Sequence, residues 1–410
     1  MAGITPAELA AIGRRLEAFA ADVFESLPRR DQRARGQCYL RGLMLQGRRK
    51  SVEPMAARLG QVHYQALHHF VAASPWDWQP VRRRLAERLV GALEPMVWAV
   101  DDTGFPKDGP HSVGVQRQYS GTLGKTANCQ LGVSVNAVTE QASCPLDWRL
   151  FVPQSWDQDA MAARRAACHL PDDVHHRSKW QLVLDMLDEL AGWDLHPPVL
   201  VADCGYGEVG EFRGGLEDRQ IPYVVQVKAD TSAYAEHVHP VAAPYQGKGR
   251  RPRPRYHDPP LALKELALAA GQQACVDLIW RRASKGLQRS RFLALRVRPA
   301  GVTPRRLARV AGTELRVRWL LVEWPQQESE PVKYWLSNLP DTTPIVDLVR
   351  LGKLRWRIEQ DYRELKGALG LDHFEGRSFG GWHHHVTLVS VAHGFLTLER
   401  LRSPNLVASA

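Results

Sequence analysis

Acidic residues at three places in the chain stand where they could do chemistry. Asp101 and Asp102 follow an apolar run at residues 96–100, Asp203 follows a second at 198–202, and Glu359 lies between Arg355 and Lys366. Arg355, Glu359 and Lys366 are spaced by four and then seven residues; at about 100° per residue they share nearly one stripe of a helix. Alone, that stripe reads as a solvated helix whose ion pairs contribute a few tenths of a kcal/mol each. An Asp before Gly at a strand end, taken singly, also reads as a turn residue accepting backbone N–H bonds. Gathered together, three carboxylates repel unless cations neutralise them. Hard divalent ions with oxygen ligands suit such a site, and two of them about 4 Å apart can activate water and stabilise a leaving oxygen in phosphoryl transfer.

The elements that must position these acids follow an α/β pattern. Short apolar strands are predicted at 96–100, 114–119, 129–138, 198–202 and 223–227, with an amphipathic helix over 178–190. The first strand should stop abruptly at Asp101. The strand–helix–strand order from 198 to 227 implies a parallel βαβ unit, in which ligand-facing residues sit at strand carboxyl ends. Asp203 falls there. Residues 331–410 add a strand at 332–337, one helix running from a cap at 341–344 through Glu359, and a last helix from about 385 to 401. His383, His384 and His385 precede that last helix and read as packing or phosphate-contacting residues, since three consecutive His cannot face one metal from a helix.

Residues 1–95 read as an all-helical domain. Thr5-Pro6-Ala7-Glu8 is a capping box with Pro in the first turn, and two short helices about Gly60 resemble a helix-turn-helix. The segment carries 15 Lys/Arg against 9 Asp/Glu, enough to grip phosphates without reading bases. Residues 229–330 interrupt the α/β alternation as a mostly β insertion with strands at 275–280, 292–297 and 317–322. The whole chain is basic, with net charge +10 over 410 residues, which favours a polyanionic partner. Residues 245–298 alone hold 13 Lys/Arg against 3 Asp/Glu. Within them Arg250, Arg251, Arg253 and Arg255 form a Pro-interrupted tract suited to gripping a DNA backbone. Lys107 and Lys125 are further candidate DNA contacts beside the first acidic motif; the 121–125 segment lacks the context of a phosphate loop and reads as a basic turn. Six scattered cysteines show neither a disulfide framework nor zinc spacing. No stretch suits a membrane span or a signal peptide, so a cytoplasmic protein is expected.

Together these motifs resemble the DDE transposases of bacterial insertion sequences, over most of residues 96–390. Asp101-Asp102-Thr103-Gly104-Phe105-Pro106-Lys107 is similar to the first-Asp motif, Ala202-Asp203-Cys204-Gly205-Tyr206-Gly207 to the second, and Arg355-Trp356-Arg357-Ile358-Glu359 with Lys366 to the third. The subgroup resembled carries a Tyr-Arg-Glu-Lys signature and a β-rich insertion before the Glu. Its Tyr position falls on Gly352, so that hydroxyl's phosphate contact would come from another residue, Lys353 or Tyr362.

The resemblance implies an α/β fold: an RNase H-like mixed sheet flanked by helices, split into 96–228 and 331–410 around the insertion. It implies Asp101, Asp203 and Glu359 as catalytic metal ligands, with Asp102 as a second candidate for the first Asp, and Arg355 and Lys366 as phosphate contacts. The implied cofactor is Mg²⁺, with Mn²⁺ able to substitute. The implied partners are the element's terminal inverted repeats and a target DNA, met by a homodimer in a nucleoid-associated setting without a membrane. Cut-and-paste movement follows from the resemblance. The competing readings are an inactive DNA-binding repressor derived from a transposase and a host RNase H-like nuclease.

Overall fold

The computed structural model describes residues 5–402 except 61–62, 122–123, 248, 251 and 284–285. The capping box forms as the sequence predicts. The Glu8 N–H donates to the Thr5 hydroxyl (3.2 Å), the Thr5 N–H donates to the Glu8 carboxylate (2.8 Å), and α1 (Pro6–Val23) begins there. Then come α2 (Arg30–Met44), α3 (Val52–Leu59), α4 (Tyr64–Ala72) and α5 (Trp78–Leu93). Gly60 ends α3 at φ +77°, a conformation that favours glycine.

The chain forms a 12-stranded mixed sheet whose first four strands pair antiparallel: β1 (Val97–Pro106), β2 (Gln116–Ser120), β3 (Lys125–Val138) and β4 (Ser143–Phe151). β3 is the long central strand of these four, with β1 along one edge and β2 and β4 along the other. One expectation is corrected here, and one strand was unforeseen. β1 does not stop at Asp101: residues 101–106 continue the ladder against residues 129–134. β4 was not foreseen as a strand. Its Pro145 sits where the β3–β4 register shifts, at a bulge where a missing N–H costs no ladder bond. α6 (Ala162–Ala167) and α7 (Lys179–Gly192) follow.

By compactness, Met1–His196 and Trp356–Ala410 form one unit and Pro197–Arg355 a second. In the second, β5 (Leu200–Ala202) leads through α8 (Cys204–Gly207) and α9 (Gly210–Asp218) to β6 (Tyr223–Val227), and β5 and β6 pair in parallel, as predicted. β7 (Ser232–Ala235), β8 (Leu261–Ala262), α10 (Leu263–Ala270), β9 (Val276–Ala283), β10 (Gly286–Pro299), α11 (Val302–Ala311), β11 (Arg318–Glu323) and β12 (Lys333–Ser337) complete its part of the sheet and the insertion. The strand order is β5-β6-β12-β11-β10-β7-β8, with β9 on β10. The insertion is therefore less purely β than expected, since α10 and α11 are helices. Leu263 and Leu266 of α10 bury against Leu293, Leu320 and Leu336 of the strands.

α12 (Ile345–Lys353) closes the second unit; α13 (Trp356–Gly367) and α14 (Phe379–Arg402) return to the first. The single helix expected through Glu359 is thus two helices, broken at Leu354 and Arg355. α14 starts six residues before the predicted point and packs on α2, α4, α5 and β4. No helix among the described residues is long and apolar enough to cross a membrane.

Candidate active site

Asp101 and Asp102 lie mid-strand in β1, so they point to opposite faces of the sheet. Asp101 opposes Ser134 of β3 and Asp102 opposes Val133. Directly opposed residues of an antiparallel pair share a face. The Ser134 Oγ lies 2.7 Å from the Tyr362 hydroxyl of α13, which puts Asp101 on the face that α13 covers. Asp102 faces the other way, where Lys179 at the start of α7 donates to its Oδ2 at 2.8 Å. Arg149, opposite Val133 on β4, likewise pairs with Glu189 of α7, so both observations put α7 on that second face. The Tyr362 hydroxyl is pushed well above its usual pKa, first by burial and then by the Asp101 carboxylate. The Asp102 N–H donates to Asp101 Oδ1 at 2.8 Å.

α13 is held on several sides. Arg357 donates to the carbonyls of Glu140 (3.0 Å) and Gln141 (2.6 Å), and Glu364 pairs with Arg400 of α14. Ile358, Tyr362 and Leu365 supply its buried apolar side, and Glu359 is exposed one turn before Tyr362. Lys366, two turns beyond Glu359, donates to the Gly104 carbonyl of β1 at 2.6 Å. Burial pushes its ammonium down to about 8, against the pull of Asp372. Glu359 and Lys366 therefore share α13 as expected, while Arg355 lies in the turn before it rather than on the same helix.

The signature position at Gly352 belongs to packing. Gly352 is buried on α12, and a Cβ there would lie 3.1 Å from Val224 of β6. Neither proposed substitute for its hydroxyl is available for a phosphate. Lys353 donates to Glu323 at 2.6 Å with its ammonium 4.9 Å from the Trp280 ring centre and 5.5 Å from that of Trp335. Tyr362 is buried against Ser134.

Asp203 follows β5 directly and caps α8: its Oδ1 accepts from the N–H groups of Gly205 (2.9 Å) and Tyr206 (3.4 Å). The turn role and a ligand role are compatible, because both cap bonds use one carboxylate oxygen. Gly207 is required by packing, since a Cβ would lie 2.1 Å from the Gln226 carbonyl of β6. Cys204 lies 3.9 Å from the Glu208 carboxylate through its sulfur.

Among the expected DNA contacts, Lys125, Arg250, Arg253 and Arg255 are exposed, and Arg251 lies outside the described residues. Lys107, by contrast, is half-buried: it donates to the Phe374 carbonyl at 2.5 Å, and burial lowers its pKa. The three histidines are buried inside α14, where they pack. His383 stacks on Trp78 (4.6 Å between ring centres) and His384 on Trp76 (3.9 Å). Two residues were missed by sequence reasoning. Lys179 carried no signal beyond its place after the helix cap Ser178. Arg82 looked like one of several cations on α5, but it is 1% exposed and donates to Asp147 (2.9 Å), the Trp148 carbonyl (2.8 Å) and Thr387 (2.7 Å).

The donors singled out as ligands are all carboxylate oxygens, a chemistry that fits a hard divalent cation. Among the described residues, no group of three or more His, Cys, Asp or Glu is gathered as a ready-made metal cage.

A probable transposase for insertion sequence element IS701 from Microchaete diplosiphon is 28% identical over 186 residues, covering 45% of this chain and 46% of that protein. The chain thus spans about half the length of that relative. Among solved structures, a piggyBac transposase synaptic complex with hairpin DNA aligns with 97% of this chain and 80% of its own, at 9% identity and a TM-score of 0.35. The family model described as DDE superfamily endonuclease matches residues 22–287, a span that contains Asp101 and Asp203 and ends before Glu359. With well over half the chain matched, and with a mixed α/β fold built on a helix-flanked sheet, this protein belongs to the DDE superfamily endonucleases, in keeping with the RNase H-like core that its acidic motifs resemble.

Proposed function

We propose that this chain is a DNA transposase that cleaves at the ends of its insertion sequence and joins them to target DNA by cut-and-paste phosphoryl transfer. The observation that carries the reading is the face-sharing of Asp101 with α13, the helix that bears Glu359 and Lys366. Asp101, Asp203 and Glu359 would hold Mg²⁺, or Mn²⁺ in its place. The bound metal supplies a lowered pKa for the attacking water or 3′-hydroxyl and neutralises charge that builds on the phosphodiester.

The chain's own residues do the rest. Asp203 is oriented by its cap on α8, which fixes one carboxylate oxygen and directs the other. Lys366, protonated near neutral pH, provides a phosphate contact at the level of β1, and Arg355 provides a second as a bidentate donor. The exposed Arg253 and Arg255, with Arg250 and Lys125, bind backbone phosphates without reading sequence. Segments 96–228 and 331–410 act as the catalytic core, and residues 1–95 and the insertion 229–330 hold the ends of a homodimer's paired DNA. The reading finds further support in the Microchaete diplosiphon relative, a probable transposase for an insertion sequence element.

The test incubates the purified chain with linear DNA carrying the element's own termini and a plasmid target. Excised ends and joined products are expected with Mg²⁺ and absent with EDTA. Specific end binding without any metal-dependent nicking would instead indicate a repressor, and cutting indifferent to terminal sequence a general nuclease.

A further inference from the structure

We propose that Asp102 and Lys179 form a positioning pair for the first catalytic Asp, holding Asp102 on the far face of β1 so that Asp101 alone is turned toward α13. The inference rests on the transposase reading and adds two residues to its machinery. Adjacent carboxylates on one strand present a choice that the sequence does not make: a one-residue slip of a strand moves every side chain to the other face. Exchanging Asp101 for Asp102 would still leave an acid facing α13.

The structure holds β1 against that slip from both sides. On the α13 face, Lys366 donates to the backbone carbonyl of Gly104. On the other face, Lys179 pairs with Asp102 Oδ2 at 2.8 Å, with the two side chains 34% and 23% exposed. Lys179 is the first residue of α7, whose N-terminus is fixed by Ser178 donating its N–H to Gln181 at 2.9 Å. Its ammonium also lies 5.9 Å from the ring centre of Phe151 on β4, so it is placed by the sheet as well as by its partner. An ion pair half-withdrawn from water and anchored at a helix start resists screening better than a surface pair. The Asp102 N–H, donated to Asp101 Oδ1, links the locked residue to the one it orients.

The experiment is a Mn²⁺ titration followed by electron paramagnetic resonance, with end cleavage measured beside it, on the full chain and its Asp101→Asn, Asp102→Asn, Lys179→Met, Lys179→Arg and Asp102→Asn/Lys179→Met variants. Asp102→Asn and Lys179→Met should weaken Mn²⁺ binding by the same factor, about tenfold, the usual cost of losing an outer partner of a metal ligand. The double variant should be no weaker than either single one, and Lys179→Arg should stay close to wild type. Asp101→Asn should remove the binding. The proposal is overturned if Asp102→Asn removes Mn²⁺ binding while Lys179→Met leaves it unchanged, which would make Asp102 a ligand. It is equally overturned if neither variant changes the binding. If the expected Mn²⁺ pattern holds but the wild type cuts no element ends, the transposase reading fails and the positioning pair stands.

Discussion

Lys366 offers a quantitative test because its proton is held against burial. With the folded-state pKa pushed down to about 8 and the unfolded value near 10.4, the unfolded chain binds more protons than the native one between those values. Stability therefore rises with pH across that window. The charge penalty is fully present below pH 8 and disappears as the ammonium deprotonates. Integrating the linkage from pH 7 to pH 9.5 gives about 2 kcal/mol for this one group. Other titrating groups cancel when the wild type is compared with Lys366→Met. Urea unfolding of the two proteins at pH 7 and pH 9.5 should show the wild type gaining about 2 kcal/mol on the variant. The same proton should return when DNA binds, because a phosphate beside Lys366 favours its charged form. Affinity for end DNA should then fall between pH 8 and 9.5 in the wild type and hold in Lys366→Arg. A stability difference that stays flat with pH would refute the burial argument, and a pH-independent affinity would refute the phosphate contact.

Replacing Arg82 by Met should cost about 3–5 kcal/mol in urea unfolding, because it strips a fully buried Asp147 of one of its two cations and leaves the His383 and Thr387 acceptors on α14 unpaired. Arg83→Met, on the exposed side of the same helix, should change stability by less than about 0.5 kcal/mol. Introducing the signature residue as Gly352→Tyr should lower stability by about 1–3 kcal/mol through overpacking against Val224 and Trp335 and yield no gain in end cleavage; increased cleavage would contradict the packing role. Removing Arg253 and Arg255 together should reduce the slope of log affinity against log salt by up to about 2, and an unchanged slope would place the phosphate grip elsewhere.

The parallel βαβ unit and the first capping box were legible because each depends on residues close in sequence. What was hidden depended on pairing across the chain. Asp101 to Pro106 contain few strand-forming residues, and they remain extended because β3 offers a complete ladder against them. β4 was masked by Pro145, which only a bulge makes tolerable. The helix of Glu359 seemed continuous because its polar spacing carries through Arg355, yet the buried residues change sets, from Leu348, Val349 and Gly352 on α12 to Ile358, Tyr362 and Leu365 on α13. The faces that Asp101 and Asp102 take needed the register with Ser134 and the position of Lys179, neither of which leaves a periodic trace.

The most direct test of the account compares end cleavage by the wild type with that by Asp101→Asn, Asp203→Asn and Glu359→Gln, in Mg²⁺, on the element's own termini and with end-DNA affinity measured in parallel. The account predicts that each substitution abolishes the cleaved product while affinity for the ends stays near that of the wild type. Cleavage surviving undiminished in any one of the three variants would contradict it.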